Sequence, residues 1–134
     1  MKIAIINDNK RIREILKMVL QEEGISYEEF ETVNSFLERV FRAPREFSGM
    51  FLDMQLPEDE NGEINKKELG GEKILRELLK ENIKIPFVVC STLLIDEDRR
   101  KKDIYCNMYG QIHFITKWTL QTILSFLRHS EKRD

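Results

Sequence analysis

The sequence has few features that would place the chain in a membrane, an oxidising compartment or a nucleic-acid complex. Its 134 residues include only two cysteines, Cys90 and Cys106, which form no spaced metal motif, so reduced thiols in the cytoplasm are expected. No apolar run is long enough to cross a membrane, and the N-terminal run 3–6 is too short for a signal peptide. With 22 basic and 24 acidic residues, the net charge of −2 argues against nucleic-acid binding.

Apolar residues make up 41% of the chain, which is enough for a packed core in a single domain spanning residues 1–134. Short apolar runs typical of buried strands alternate five times with stretches at helical spacing. The strands are expected at 3–6, 26–32, 49–52, 86–90 and 112–115, and the last two helices at 96–105 and 120–127. This alternation predicts an α/β fold: a doubly wound, five-stranded parallel sheet with helices on both faces.

Turn residues and apolar spacing also predict the helix ends and their buried faces. Gly24 is expected to end the first helix, and Asn34 is expected to cap the second. The buried stripes of the first three helices are expected to include Ile15, Phe41 and Leu79, with the arginines and lysines of the first helix on its solvent face.

Polar residues directly follow four of the five apolar strands. Because the carboxyl ends of parallel strands meet at one edge of a sheet, these groups should converge there. Two close carboxylates need a cation between them or a shared proton, and Mg²⁺ is typically bound by one or two carboxylates together with phosphate oxygens. An aspartate can attack phosphorus while a metal and a lysine neutralise the phosphoryl oxygens. The pattern therefore predicts a metal-assisted phosphoryl-accepting site built from Asn7, Asp8, Asp53, Ser91 and Lys117.

The chain resembles the receiver domain of bacterial two-component response regulators in four segments that occur in the family's order. The segments are Ile5–Asp8, Leu52–Pro57, Ser91–Thr92 and Ile115–Lys117. Each segment alone is a weak signal, but together they are specific and cover essentially the whole chain. The resemblance implies a flavodoxin-like strand order, 2-1-3-4-5.

The resemblance also assigns roles to individual residues. Asp53 would accept the phosphoryl group, and Asp8, Asp53 and the backbone carbonyl of Gln55 would bind Mg²⁺. Asn7 would reach the metal only through a water molecule. The remaining family roles fall on the second half of the chain: Lys117, Ser91 and Thr92 would adjoin the phosphoryl group, and Ser91 and Phe114 would form the conformational switch.

Four departures from the family pattern bear on these roles. Asn7 replaces an acidic residue, so weakened rather than absent Mg²⁺ binding is expected. Trp118 replaces the proline after Lys117, which favours a trans peptide bond there. Thr92 is bulkier than the usual small residue. The loop at 58–71 is about ten residues longer than the family turn, which fits either a lid or partner contact or a tolerated insertion.

The resemblance predicts a stand-alone signalling domain rather than an enzyme. A histidine kinase or phosphotransfer protein would supply the phosphoryl group, and a downstream protein would read the altered surface; assembly as a homodimer is left open. The alternative is a degenerate receiver that acts as a phosphorylation-independent interaction module, as Asn7, Thr92 and Trp118 suggest. A flavodoxin-like or hydrolase-type enzyme is disfavoured because no glycine-rich phosphate loop follows the first strand.

Overall fold

A computed structural model describes residues 1–62, 68–89, 112–114 and 128; at 112–114 it describes the backbone. The predicted helices at 96–105 and 120–127 lie outside these residues. Within the described part, no helix is long and apolar enough to span a bilayer. The elements in chain order are β1 (Lys2–Ile6), α1 (Lys10–Glu22), β2 (Ser26–Phe30), α2 (Val33–Arg42), β3 (Gly49–Leu52), α3 (Gly70–Lys80), β4 (Phe87–Val89) and β5 (Ile112–Phe114).

The strands form one parallel sheet in the order β2-β1-β3-β4-β5, which confirms the predicted fold class and strand order. Their register brings the carboxyl ends into line. Ile6, at the end of β1, lies opposite both Phe30 and Leu52. Leu52 in turn lies opposite Val89, which lies opposite Phe114. Residues that directly follow these strands therefore emerge at the same edge of the sheet.

The two faces of the sheet carry separate apolar cores, because successive side chains of a strand point to opposite faces. Ile3, Ile5 and Phe51 pack with Leu16 and Leu20 of α1 on one face. On the other face, α2 and α3 pack against the alternate strand positions. Helices thus cover both faces, as expected for a doubly wound sheet.

The start of α2 corrects one expectation. Thr32, rather than Asn34, is the N-cap, and its hydroxyl oxygen accepts from the Ser35 N–H at 3.1 Å. The Ser35 side chain in turn accepts from the Thr32 N–H, which completes a capping box. The Asn34 N–H is instead bonded to the carbonyl of Glu58 at 3.0 Å. The helix therefore begins at Val33, two residues earlier than a cap at Asn34 implies, and Val33 is fully buried in the core.

The buried stripes of the helices are also narrower than the apolar spacing suggested. Ile15, Phe41 and Leu79 are 47%, 42% and 51% exposed, because each lies at the edge of its helix's inward face. In α1 the inward face is formed by Arg13, Leu16 and Leu20. The expectation that every basic residue of α1 lies on the solvent face is therefore wrong for Arg13, which is only 7% exposed.

Candidate functional site

The turn that follows β1 is fixed by hydrogen bonds on both sides of Asp8. The N–H of Asn7 extends the sheet by donating to the carbonyl of Phe30 at 3.0 Å. The side-chain oxygen of Asn7 accepts from the N–H of Asn9 at 2.8 Å. Asn9 then caps α1 by accepting from the N–H of Ile12 at 3.2 Å. The buried Asn7 side chain therefore shapes the turn, while Asp8 itself is exposed.

Asp53 follows β3 directly and lies beside the end of β1. Its N–H donates to the carbonyl of Ile6 at 2.9 Å, which extends the pairing of the two central strands by one residue. Its carboxylate oxygen Oδ1 accepts from the N–H of Gln55 at 3.0 Å. The side chain is largely buried, with 7% exposure. A single carboxylate is therefore held in a fixed orientation at the carboxyl edge of the sheet.

The structure brings Asp8 and Asp53 together, as the sequence predicted. Burial raises the pKa of Asp53 to about 7, although the hydrogen bond from Gln55 acts in the opposite direction. Asp8 lies within hydrogen-bonding reach and adds to the increase, both through that bond and through its like charge. Near neutral pH this pair therefore shares a proton or requires a neighbouring cation.

The donor set fits Mg²⁺. Residues 1–62 and 68–89 contain no cluster of three or more acidic, histidine or cysteine side chains suited to a metal, so this edge offers two carboxylates rather than a closed ligand cage. Mg²⁺ is commonly held by one or two carboxylates and keeps several waters. A cation would also offset the burial and the like charge of Asp8, both of which raise the pKa of Asp53.

The start of α3 packs against the backbone that carries Asp53. The N–H of Gly71 donates to the carbonyl of Met54 at 3.1 Å. A Cβ atom on Gly71 would lie 2.8 Å from the carbonyl oxygen of Asp53, and one on Gly70 would overlap the backbone of Leu56. Gly71 is the last residue of the long loop predicted at 58–71, but nothing in the sequence marked Gly70.

The first part of the long loop lies against α2. The carbonyls of Pro57 and Glu58 accept from the N–H groups of Val33 and Asn34, each at 3.0 Å. The side chain of Glu58 forms an ion pair with Lys73 of α3 at 3.1 Å. Beyond these anchors, the loop forms one wall of a cavity of about 450 Å³ next to Asp8, which is also lined by Arg13, Glu31, Thr32, Asp59, Glu60 and Gly62.

No protein-family model matches the chain, and a search of curated proteins finds no match. Solved structures do match. A receiver domain from Clostridium thermocellum is 16% identical with a TM-score of 0.75, over 98% of this chain and 94% of that chain. A two-component response regulator from Clostridium difficile is 20% identical with a TM-score of 0.73, over 99% and 97%. The BeF3-activated N-terminal receiver domain of Klebsiella pneumoniae RstA is 16% identical with a TM-score of 0.72, over 97% of both chains. This chain has the receiver-domain fold.

Not every predicted position of a receiver site falls within the described residues. Ser91, Thr92 and Lys117 lie outside them, as does the Lys117–Trp118 peptide bond. Phe114 is the last residue of β5, at the same edge of the receiver fold as Asp53, and its backbone position agrees with the predicted strand. The described residues therefore include the acidic half of the predicted site: Asn7, Asp8, Asp53 and Gln55.

Proposed function

We propose that this chain is a response-regulator receiver that accepts a phosphoryl group on Asp53 in a Mg²⁺-dependent reaction. A histidine kinase or a phosphotransfer protein would supply the group. The output would be a changed surface that a downstream protein recognises, as in other two-state signalling switches.

One observation carries the proposal: a buried carboxylate, Asp53, shares the carboxyl edge of a receiver-fold sheet with the exposed carboxyl of Asp8. Burial and like charge are costly for folding, because both disfavour the ionised form of Asp53. A purely structural turn residue would not require that cost. Perturbed carboxyl groups of this kind are typical of functional sites.

The transfer step requires Asp53 in its ionised form. One of its oxygens, Oδ1, accepts from Gln55, which leaves the other oxygen to attack phosphorus. An O–P bond to Asp53 forms as the bond from phosphorus to the donor's leaving group breaks, for example the P–N bond of a phosphohistidine. When bound, Mg²⁺ would neutralise charge on the phosphoryl oxygens and favour the ionised carboxylate. Asp8, Asp53 and the carbonyl of Gln55 would hold it.

The family roles of the later residues belong to the same proposal. Lys117 would contact the transferred phosphoryl group, and Ser91 would donate a hydrogen bond to it, with Thr92 adjacent. Movement of Ser91 toward the phosphoryl group, accompanied by reorientation of Phe114, would convert phosphorylation into a surface change.

Intact-protein mass spectrometry tests the proposal directly. The chain is incubated with acetyl phosphate or phosphoramidate and Mg²⁺, alongside Asp53→Asn. We expect the mass of one phosphoryl group to appear on the parent and to be absent from the variant, because an amide cannot form the acyl phosphate. Asp59→Asn serves as a control, since Asp59 lies in the neighbouring loop, and it should label like the parent. An unlabelled parent in ample Mg²⁺, or an Asp53→Asn variant that still labels, would contradict the proposal.

A degenerate receiver that binds partners without phosphorylation is the second candidate. It is favoured by Asn7, which stands where the family has an acid and whose side-chain oxygen is already bonded to the N–H of Asn9. If this candidate is correct, Asp53→Asn leaves partner binding unchanged and the parent shows no acyl phosphate.

Restoring the acid at position 7 should strengthen metal binding. In Asn7→Asp a carboxylate oxygen can still accept from Asn9, so the turn is preserved while one negative charge is added. We expect the dissociation constant for Mg²⁺ to fall by about tenfold or more, because the added charge is only 1% exposed and weakly screened.

Calorimetric titration with Mg²⁺ measures this change, and Asn9→Asp is the matched control. Asn9→Asp adds the same charge in the same turn, on an exposed residue that caps α1, and should alter the affinity much less. Equal effects of the two substitutions would indicate general electrostatic attraction rather than a metal site at position 7.

A further inference from the structure

Arg13 is a buried cation whose three side-chain nitrogens each have an acceptor, and it has no role in the proposed transfer step. Its Nη1 donates to the backbone carbonyl of Asn7 at 2.8 Å. Its Nε and Nη2 form ion pairs with Glu29 and Glu31 at 3.3 and 2.8 Å. A buried charge of this kind is tolerated only when it is paired and hydrogen-bonded. The arrangement joins the end of β1 to the end of β2 and the residue that follows it.

The contact with Asn7 bears directly on Asp8. The N–H and the side-chain oxygen of Asn7 already have partners in Phe30 and Asn9. The bond from Arg13 to the Asn7 carbonyl fixes the peptide group that joins residues 7 and 8. Asp8, by contrast, is exposed and projects from this fixed backbone. Apart from its side-chain contact with Asp53, the direction of its carboxylate is therefore set by the backbone on either side of it.

We propose that Arg13 is a positioning residue that orients Asp8 for Mg²⁺ through the backbone carbonyl of Asn7. The inference rests on the proposed function in that Mg²⁺ is the cation concerned. Arginine suits this positioning role better than lysine, because its planar guanidinium can donate hydrogen bonds to three acceptors in a fixed geometry. The residue lies on the wall of the cavity next to Asp8, but it acts through the backbone and would not touch the metal.

The test is an NMR titration of the ¹⁵N-labelled full chain with Mg²⁺, which reads the amide shifts around Asp8 and Gln55 and requires no phosphorylation. In Arg13→Gln we expect the dissociation constant for Mg²⁺ to rise at least about tenfold, because the carbonyl of Asn7 is released. This effect should outweigh the relief of repulsion between Mg²⁺ and the lost arginine charge, which acts in the opposite direction. Arg13→Lys keeps the positive charge but loses the planar set of N–H donors. In this variant we expect the dissociation constant for Mg²⁺ to increase about threefold to fivefold.

Two controls separate positioning from a loss of stability. Glu31→Gln removes an exposed ion-pair partner and leaves the bond to Asn7 intact, so it should stay within about twofold of the parent. Leu20→Val weakens the core at the far end of α1 and should leave the affinity of the folded protein unchanged. All variants are titrated at low temperature, with circular dichroism to show that they are folded.

Parent-like affinity in Arg13→Lys and in any folded Arg13→Gln would overturn the inference. Weakening in Leu20→Val equal to that in the Arg13 variants would also overturn it, by showing that stability alone is responsible. A parent that binds Mg²⁺ but forms no acyl phosphate would refute the proposed function and still allow Arg13 to be judged by affinity. A parent with no Mg²⁺ response would refute both.

Discussion

In the absence of Mg²⁺, Asp53→Asn is expected to stabilise the folded chain at about pH 8 by about 2–4 kcal/mol and to have little effect near pH 4. The reason is the raised pKa of Asp53, about 7 in the folded protein against an ordinary value of 3.8. Below the ordinary value, the carboxyl is protonated in both folded and unfolded chains. Between the two values, only the folded chain retains the proton, so stability falls as the pH rises. Asparagine remains neutral throughout and avoids this loss.

Urea unfolding in the presence of a chelator, measured for both proteins at several pH values from about 4 to 8, gives the difference directly. Taking the difference removes the contributions of all other titrating groups that the two proteins share. Asp8→Asn is an informative control: it removes the like charge but leaves the burial, which is the larger cause of the shift. It should therefore reduce the pH dependence without abolishing it. A difference between parent and Asp53→Asn that is constant with pH would contradict the prediction.

Adding Mg²⁺ should cancel most of the stability difference between the two proteins at about pH 8. A ligand that binds only the folded state stabilises it by about 2.7 kcal/mol at one hundred times its dissociation constant. The parent should gain this stabilisation, and Asp53→Asn, which lacks a ligating carboxylate, should gain much less. Comparing the two proteins with and without Mg²⁺ therefore measures how much the buried carboxylate lowers the free energy of unfolding and how much of that loss the cation restores.

The proximity of Asp8 and Asp53 was predictable from sequence because it follows from position along the chain. A parallel sheet places residues after buried strands at one edge, so Asp8 and Asp53 could be brought together without knowing any side-chain contact. The family resemblance supplied the strand order. The end of the third strand was thereby placed beside the end of the first, and the end of the fifth beside the end of the fourth, as the register confirms.

Arg13 could not be assigned in the same way. An arginine on an amphipathic helix is normally exposed to solvent. The spacing of apolar residues along the helix does not show which arginine will find buried hydrogen-bond acceptors. Its partners are a backbone carbonyl of the β1 turn and two carboxylates of the neighbouring strand and its end. These come together only after the sheet has formed. The capping of α2 by Thr32 escaped prediction for a related reason, since the Asn34 N–H is taken by the distant Glu58.

Gly70→Ala and Gly71→Ala are each expected to lower the free energy of unfolding by about 1–3 kcal/mol, although alanine is normally the better helix former. A Cβ atom on Gly70 would overlap the carbonyl oxygen of Leu56 and lie 2.9 Å from its carbonyl carbon. On Gly71 it would lie 2.8 Å from both the Asp53 carbonyl oxygen and the Met54 Cα. These are backbone atoms, which cannot move aside as the end of a flexible side chain can. Gly24→Ala is the control: its Cβ meets nothing within 4 Å, and only the positive φ of 68° opposes it.

The two helix glycines should differ in their effect on phosphoryl acceptance, even though they resemble each other in stability. Only Gly71 approaches the backbone of Asp53, so only Gly71→Ala should displace the carboxylate from its position next to Asp8. We expect the rate of acyl phosphate formation, measured by mass spectrometry at a temperature where both variants are folded, to fall about tenfold or more in Gly71→Ala. It should change little in Gly70→Ala. Equal rates in the two variants would mean that the approach of α3 stabilises the fold without positioning Asp53.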